Sequence, residues 1–370
     1  MSYHRIVVKF GTSLLTSGTG HLDLQVMANL VRQVAQLHRE GKEIIIVSSG
    51  AIAAGRQKLR GIPEHKSTPF KQVLASVGQS HLMHTYEELF SRYDITIAQA
   101  LLTKGDLSSR AGYLNTRNTL LALTELDAIC IVNENDVVAL DEIEELKFGD
   151  NDNLSAMVAN LVDADLLILL TDIAGLYTAD PHCNPEAQLI RRVDRIDARI
   201  KRLASNAANR QGTGGMITKI EAAKLATSSG VDVVITDGRE PDAVVKISSG
   251  EEIGTLFSAR VNKMESRKRW MLSGLASKGK VVVDKGAALA IKEQNKSLLP
   301  AGVVEVNGNF QRGDIVDIVN KEGEHIGCGI SNYGSADMAV IKGAHSDRIL
   351  SLLGHGYGDE VIHRNNMVIL

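Results

Sequence analysis

The chain has 370 residues, 44% of them hydrophobic, enough for one large α/β domain with an appendage or for two comparable domains. Its 41 Lys and Arg nearly balance 44 Asp and Glu, and the net charge of -3 argues against a generic polyanion binder and against an acidic solvating tail. No apolar run reaches the length of a membrane span, and the N-terminus enters a strand-like run without a signal-peptide core. Cys130, Cys183 and Cys328 are far apart and odd in number, so they spell neither a disulfide framework nor a CxxC metal site. A soluble, cytoplasmic protein is expected.

Strand-like and helix-like segments alternate from Arg5 to about residue 258. Arg5–Phe10 is a short apolar strand that runs into the turn Gly11-Thr12-Ser13. Leu22, Leu24, Val26, Met27, Leu30, Val31, Val34 and Leu37 then recur at helical spacing, and Gly41 stops that helix. Further strands are predicted over residues 43–48, 95–101, 128–132, 165–170 and 231–235, with helical stretches between them. Such alternation predicts an α/β fold, an open and mostly parallel sheet sandwiched by helices, whose sites gather outside the carboxyl ends of the strands. Beyond Ser273 the texture changes to short strands at 279–283, 303–306, 314–319 and 325–330, Gly-containing turns, and helical pieces at 287–292 and 335–341. That pattern predicts a small β-rich domain over 277–370. A linker at 261–276, carrying Arg267-Lys268-Arg269-Trp270, joins it to a domain over 1–260.

The polar clusters follow the strands. Lys9 sits at the end of the first strand beside Gly11-Thr12-Ser13, where its ammonium can enter the sheet-top crevice and backbone N–H groups can approach a phosphate; the plainer reading is a surface lysine before a turn. Ser48-Ser49-Gly50-Ala51 repeats the arrangement, with either serine also suited to capping the next helix. Asn133-Glu134-Asn135-Asp136 and Gly149-Asp150-Asn151-Asp152-Asn153 contribute to a run, Glu134 to Asp152, of eight carboxylates against one cation, Lys147. Asp141, Glu142, Glu144 and Glu145 suit a solvated hairpin tip, but the two Asn/Asp clusters suit a ligand: an ammonium ion, a metal-bound water or an amino-acid backbone. Thr171-Asp172 ends the most apolar strand and leads into Gly175-Leu176-Tyr177-Thr178-Ala179-Asp180-Pro181, a loop able to wall a nucleotide base or simply to connect. Gly212-Thr213-Gly214-Gly215-Met216-Ile217-Thr218-Lys219 opens a helix, with glycines that admit phosphate oxygens and a lysine one turn in. Neither the Walker spacing nor the protein-kinase motifs occur, so a phosphotransferase here is of another kind.

In this order, Lys9 to Ser13, Ser49 to Ala51, Asn133 to Asp136, Gly149 to Asn153, Gly175 to Pro181 and Gly212 to Met216 resemble the signatures of the amino-acid kinase family, and within it of the glutamate kinases; the match runs from about residue 5 to 258. The stretch Ser297 to Gly302, with Gly308 to Gly313, resembles a PUA domain, a small β-barrel. The resemblance implies that domain 1–260 is catalytic, with ATP and Mg²⁺ required, and that L-glutamate becomes L-glutamyl 5-phosphate in the first step towards proline. It further implies feedback inhibition by L-proline, a homo-oligomer, and a glutamyl-phosphate reductase as functional partner. Carried over residue by residue, it places Lys9, Gly11, Thr12, Ser13, Thr171, Asp172, Thr213, Gly214, Gly215, Met216, Ile217, Thr218 and Lys219 at ATP. It places Ser49, Asn133, Asp136, Asp150 and Asn151 at glutamate. The segment between Asp136 and Gly149 is a few residues longer than the family pattern.

The residues suit this chemistry on their own terms. A side-chain carboxylate is ionised at neutral pH, so its phosphorylation needs no general base. It does need two anions brought together and charge stabilised on the moving phosphoryl group, a task for Lys9 and Lys219, with Asp152 expected to orient them by ion pairing. No dedicated protein ligands for the metal are expected. A phosphate cradle alone would equally fit an acetylglutamate kinase or an aspartokinase; the Asn/Asp clusters favour glutamate. An RNA-binding role, suggested by the PUA-like tail, is disfavoured because residues 277–370 carry ten Lys and Arg against eleven Asp and Glu.

Overall fold

A computed structural model of the chain describes residues 3–59, 67–139, 151–181, 183–206, 215–259 and 277–369. The chain divides into two compact units, one of residues 1–108 and 116–263, the other of 109–115 and 264–370. The expected linker at 261–276 lies outside the described residues.

The first unit is built on an eight-stranded sheet. Its strands are β1 (Arg5–Phe10), β2 (Glu43–Val47), β3 (Ile97–Leu102), β4 (Ile129–Glu134), β5 (Leu166–Thr171), β6 (Arg192–Val193), β7 (Asp232–Asp237) and β8 (Thr255–Phe257). They lie in the order β3-β4-β2-β1-β5-β7-β8-β6, all parallel except at the β7–β8 pair. The middle strands are mostly apolar, IVVKF in β1 broken only by Lys9 and LLILLT in β5 only by its terminal Thr171, and these residues are buried, as strands covered by helices on both faces must be. The edge strand β3 is half exposed and begins two residues later than the expected 95–101. β6 and β8, of two and three residues, were not expected at all; they cap the far edge and are too short to leave a pattern.

Local chemistry sets the element ends. The helix Leu24–Arg39 starts later than the apolar periodicity because Asp23 caps it, its carboxylate accepting from the backbone N–H groups of Gln25 and Val26. Gly41 at φ 78° ends it. The helices Ala51–Lys58 and Thr68–Ser91 meet backbone to backbone at two glycines. A Cβ on Gly55 would stand 1.9 Å from Leu74 O, and one on Gly78 1.8 Å from Ala51 O.

The second unit holds a five-stranded sheet, β10-β9-β11-β12-β13, from β9 (Gly279–Val283), β10 (Val303–Gly308), β11 (Ile315–Asn320), β12 (His325–Ile330) and β13 (Met367–Ile369). Val281, Val316, Ile318, Ile326, Tyr333 and Met338 are among its fully buried core side chains. The terminal strand β13 escaped the sequence reading because only three residues pair, against β12. The short segment 109–115 counts with this unit although it lies within the span expected to be catalytic.

Gly78→Ala pits a helix-propensity gain of about 1 kcal/mol against overlap with the Ala51 carbonyl and the Gly55 nitrogen, and the overlap wins because that backbone cannot retreat without moving a helix. Urea unfolding of the variant should reveal a loss of about 2 kcal/mol or more. An unchanged midpoint would mean that the two helices slide apart freely.

Candidate active site

Four neighbouring strands, β4, β2, β1 and β5, end on the same side of the sheet. The strand order reverses at β1, which has β2 on one side and β5 on the other, and a crevice opens at such a point. Lys9 stands there, near the end of β1, paired in register with Val47 and Leu169. Ser48 and Ser49 follow β2, Asn133 lies at the end of β4, and Thr171 ends β5. The crest is tied together by backbone bonds, Ser48 N donating to Val132 O at 2.8 Å and Gly11 N to Leu170 O at 3.3 Å.

The helix Asn151–Leu161 brings Asp152 into this crest in its first turn. Asp152 is 0% exposed. Lys9 Nζ lies 2.5 Å from its Oδ1, and Lys219 Nζ 3.1 Å from its Oδ2. Thr218 Oγ1 donates to the same Oδ2 at 2.9 Å. Thr218 and Lys219 arrive on the first turn of the helix Met216–Ser228, whose N-cap is Gly215. A buried carboxylate survives ionised only when cations and donors surround it, and here two lysines from opposite ends of the unit do so. Its geometric effect is to hold two ammonium groups a few ångströms apart at the end of a parallel sheet, which suits stabilising a phosphoryl group in transfer.

A second cluster adjoins the first through the preceding residue. Asn151 Nδ2 donates to Ser48 O and Ser49 Oγ, both at 2.9 Å, and to Asn133 Oδ1 at 3.2 Å. With its amide hydrogens so engaged, Asn151 keeps a buried Oδ1 that has no partner among the described residues, an acceptor ready for a ligand's N–H. Asp136 lies in the turn after β4. Burial, and secondarily the Glu134 carboxylate, push its carboxyl up to about 6.

The structure thus brings Lys9, Asp152, Thr218 and Lys219 into one cluster, and Ser49, Asn133 and Asn151 into another. Neither serine caps a helix: the N-cap of Ala51–Lys58 is Gly50 at φ 97°, with no side-chain bond, so Ser49 Oγ is left for Asn151. Gly11 is the N-cap of the short helix Thr12–Leu15, on which Thr12 and Ser13 are exposed. Thr171 donates to the exposed Asp172 at 3.1 Å, and Arg239 holds the Asp172 carbonyl at 2.5 Å. Met216 is buried and Ile217 37% exposed. Asp150, Thr213 and Gly214, like most of the acidic run after Asp136, lie outside the described residues. The loop 175–181 pairs with the chain returning through 187–190, Ile190 N donating to Leu176 O and Thr178 N to Gln188 O, so its backbone is spent on connection. Sequence reasoning missed Gln79, whose Oε1 accepts from Asn133 Nδ2 at 2.8 Å, and Tyr86, whose hydroxyl lies 2.8 Å from Ser48 Oγ. Neither sits in a motif.

The model of the amino acid kinase family matches residues 4–237, the unit that carries both clusters. The chain belongs to the amino acid kinase family. A PUA domain model matches residues 279–353. The glutamate 5-kinase of Dehalococcoides mccartyi is 59% identical over 370 residues, covering 100% of this chain and 99% of that protein. Those of Herpetosiphon aurantiacus and Shewanella oneidensis are 50% and 49% identical over 98% and 100% of this chain, and over 98% and 99% of their own lengths. As a member of the amino acid kinase family the chain is a phosphotransferase. Among the described residues no helix is long and apolar enough to cross a membrane.

The raised carboxyl of Asp136 gives a test of the site's energetics. An unfolded Asp titrates near 4, so stability falls as pH rises from there, and the whole penalty stands above about 6. Asp136→Asn removes it and is expected to stabilise the ligand-free protein by roughly 1 to 3 kcal/mol at pH of about 8, with the gain more than halved near pH 4.5. Urea unfolding at the two pH values checks this; a gain independent of pH would mean that charge is not its source.

Proposed function

We propose that the chain transfers the γ-phosphoryl group of ATP to the side-chain carboxylate of L-glutamate, giving L-glutamyl 5-phosphate on the way to proline. The observation that carries this reading is the convergence of Lys9 and Lys219 on the buried Asp152, one residue from the Asn151–Ser49–Asn133 cluster. The shared name of relatives that align over the whole chain supports it. In the proposed reaction an oxygen of the glutamate side chain attacks the γ-phosphorus, the bond to the β,γ-bridging oxygen breaks, and ADP leaves. The acceptor is already an anion, so no proton has to be removed. Lys9 and Lys219 bear on the phosphoryl oxygens, where charge spreads in the transition state, and Asp152 fixes both. Mg²⁺ enters with ATP, carried on phosphate oxygens.

The Asn cluster and Asp136 take the amino-acid end of glutamate. Asn151 Oδ1 is an open acceptor for its ammonium, and a cation beside Asp136 offsets the burial that disfavours that carboxylate. Gly11, Gly215 and the N-terminus of the helix Met216–Ser228 contribute to the ATP side, with Thr171 and Asp172 beside them. The product, an acyl phosphate, is short-lived in water and calls for a reductase as the next enzyme.

Incubation with ATP, Mg²⁺ and glutamate should give an acyl phosphate that hydroxylamine traps. Signal with N-acetylglutamate or aspartate but not with glutamate would replace the substrate. Lys219→Ala should lower kcat about a hundredfold, equivalent to about 2.7 kcal/mol of transition-state stabilisation. Asn151→Ala should instead raise the KM for glutamate with a smaller change for ATP. If Lys219→Ala weakened only nucleotide affinity, Lys219 would be a binding residue.

L-Proline is proposed to inhibit by competing with glutamate. It carries the same α-carboxylate and a cationic α-nitrogen but no side-chain carboxylate, so it occupies the amino-acid end without reacting. Inhibition should vanish at saturating glutamate, and Asn151→Ala should weaken proline together with glutamate. Inhibition undiminished at saturating glutamate would point to a separate proline site.

A further inference from the structure

The helix Thr68–Ser91 carries three polar residues seven positions apart, Gln72, Gln79 and Tyr86. Seven residues are close to two turns, so the three form one stripe. Each touches a different piece of the second cluster or its surroundings. Gln72 Nε2 donates to Val137 O at 3.1 Å, in the turn that holds Asp136. Gln79 Oε1 accepts from Asn133 Nδ2 at 2.8 Å. The hydroxyl of Tyr86, fully buried, meets Ser48 Oγ at 2.8 Å, and the carbonyl of that serine accepts from Asn151. A buried phenol that spends its one polar group on a crest turn is costly to place by chance, because the hydroxyl needs a partner wherever it goes.

The direction of the amide bonds gives the stripe its meaning. The backbone N–H of Glu134, which can only donate, holds the Oδ1 of Asn133 on the side of Asn151, and Gln79 anchors the other end by accepting from its Nδ2. Asn151 presents its Nδ2 to Asn133 and to the Ser48 carbonyl, which can only accept, and this leaves its Oδ1 without a partner among the described residues. Without the acceptor on Gln79, the Asn133 amide loses the bond that anchors its Nδ2 on the helix side, and its Oδ1 is held less firmly against Asn151. The helix that anchors Asn133 is locked at Gly55 and Gly78 to the helix that follows Ser49-Gly50, so its register against the crest is fixed by backbone contact.

We infer that Gln79 and Tyr86 are positioning residues that hold the acceptor site in place, so that Asn151 presents its acceptor where a substrate with a free ammonium group can meet it. This rests on the glutamate reading. Gln79 fixes the amide relay, Tyr86 fixes the Ser48–Ser49 turn, and Gln72 steadies the turn of Asp136.

The test uses the full chain with ATP, Mg²⁺, glutamate and hydroxylamine, and compares Gln79→Leu, Gln79→Glu, Tyr86→Phe and Asn151→Ala. Gln79→Leu should raise the KM for glutamate about tenfold, the worth of one buried hydrogen bond, while kcat and the KM for ATP stay within about threefold. Gln79→Glu keeps the acceptor oxygen and should return the glutamate KM most of the way to wild type. Tyr86→Phe, nearly isosteric and therefore the variant to rely on if Gln79→Leu does not fold, should raise the glutamate KM several-fold with ATP unaffected. A merely structural role would lower the melting temperature and the active fraction, hence kcat, at unchanged KM; that pattern overturns the inference. So does a Gln79→Glu variant as impaired as Gln79→Leu. If Asn151→Ala raises the glutamate KM while the Gln79 and Tyr86 variants do not, only the stripe falls. If Asn151→Ala leaves that KM unchanged, or the wild type makes no glutamyl phosphate, the glutamate reading falls and the stripe with it.

Discussion

The rest of the first unit is arranged around one buried carboxylate. Asp152 has no contact with solvent, and removing an ion from water costs several kcal/mol unless charges of the other sign come with it. The chain meets that cost with Lys9 from its first strand and Lys219 from the first turn of a helix late in the unit. Each lysine is itself almost wholly buried and would be as costly alone. The consequence is a mutual requirement: the sheet, the helix Asn151–Leu161 and the helix Met216–Ser228 reach one arrangement in which all three groups are satisfied. Rigidity of this kind is what phosphoryl transfer asks for, since positioning and fixed charge supply most of the catalysis.

Beside this charged cluster lies one made almost wholly of neutral groups. Asn151, Asn133, Gln79, Ser48, Ser49 and Tyr86 bond through amides and hydroxyls whose direction matters more than their strength. Asp136, in the turn after β4, is a carboxyl held at a disadvantage by burial and by Glu134. In the proposed reaction the division matches two tasks. Charge on a transferring phosphoryl group calls for cations, whereas an amino acid carrying both signs is sorted by the order of donors and acceptors.

Much of this was legible in the sequence. The bounds of β1, β9, β12 and the helix Ser335–Ile341 coincide with the expected segments, because apolar runs there end at glycines or polar clusters. Strands β6, β8 and β13 were not, because two or three paired residues leave no period to read. Within the site, Lys9, Asp152 and Lys219 stood out as residue types after strands and at helix starts, and ion pairing among them followed from chemistry. Gln79 and Tyr86 did not stand out, since a glutamine and a tyrosine in mid-helix mean nothing until the helix is docked. Ser49 was ambiguous between cap and ligand until Gly50, with its positive φ, took the cap position.

The place of β1 in the sheet bears on how the chain is made. Residues 5–10 leave the ribosome first, and β2 can pair with one side of them soon afterwards, but the other side is reserved for β5, which ends at Thr171. Throughout that interval an apolar strand destined for the centre of the sheet has one unpaired edge, the feature that recruits a neighbouring chain. The charged side chain next to the end of that strand, Lys9, is the one whose anion arrives at residue 152, just before β5 closes the gap. Until residue 152 is made this lysine lacks its Asp152 partner, and a charge beside an open strand edge is of the kind that discourages edge-to-edge pairing. The same ammonium that pairs with Asp152 in the finished protein is thus a charge suited to guarding the unfinished one.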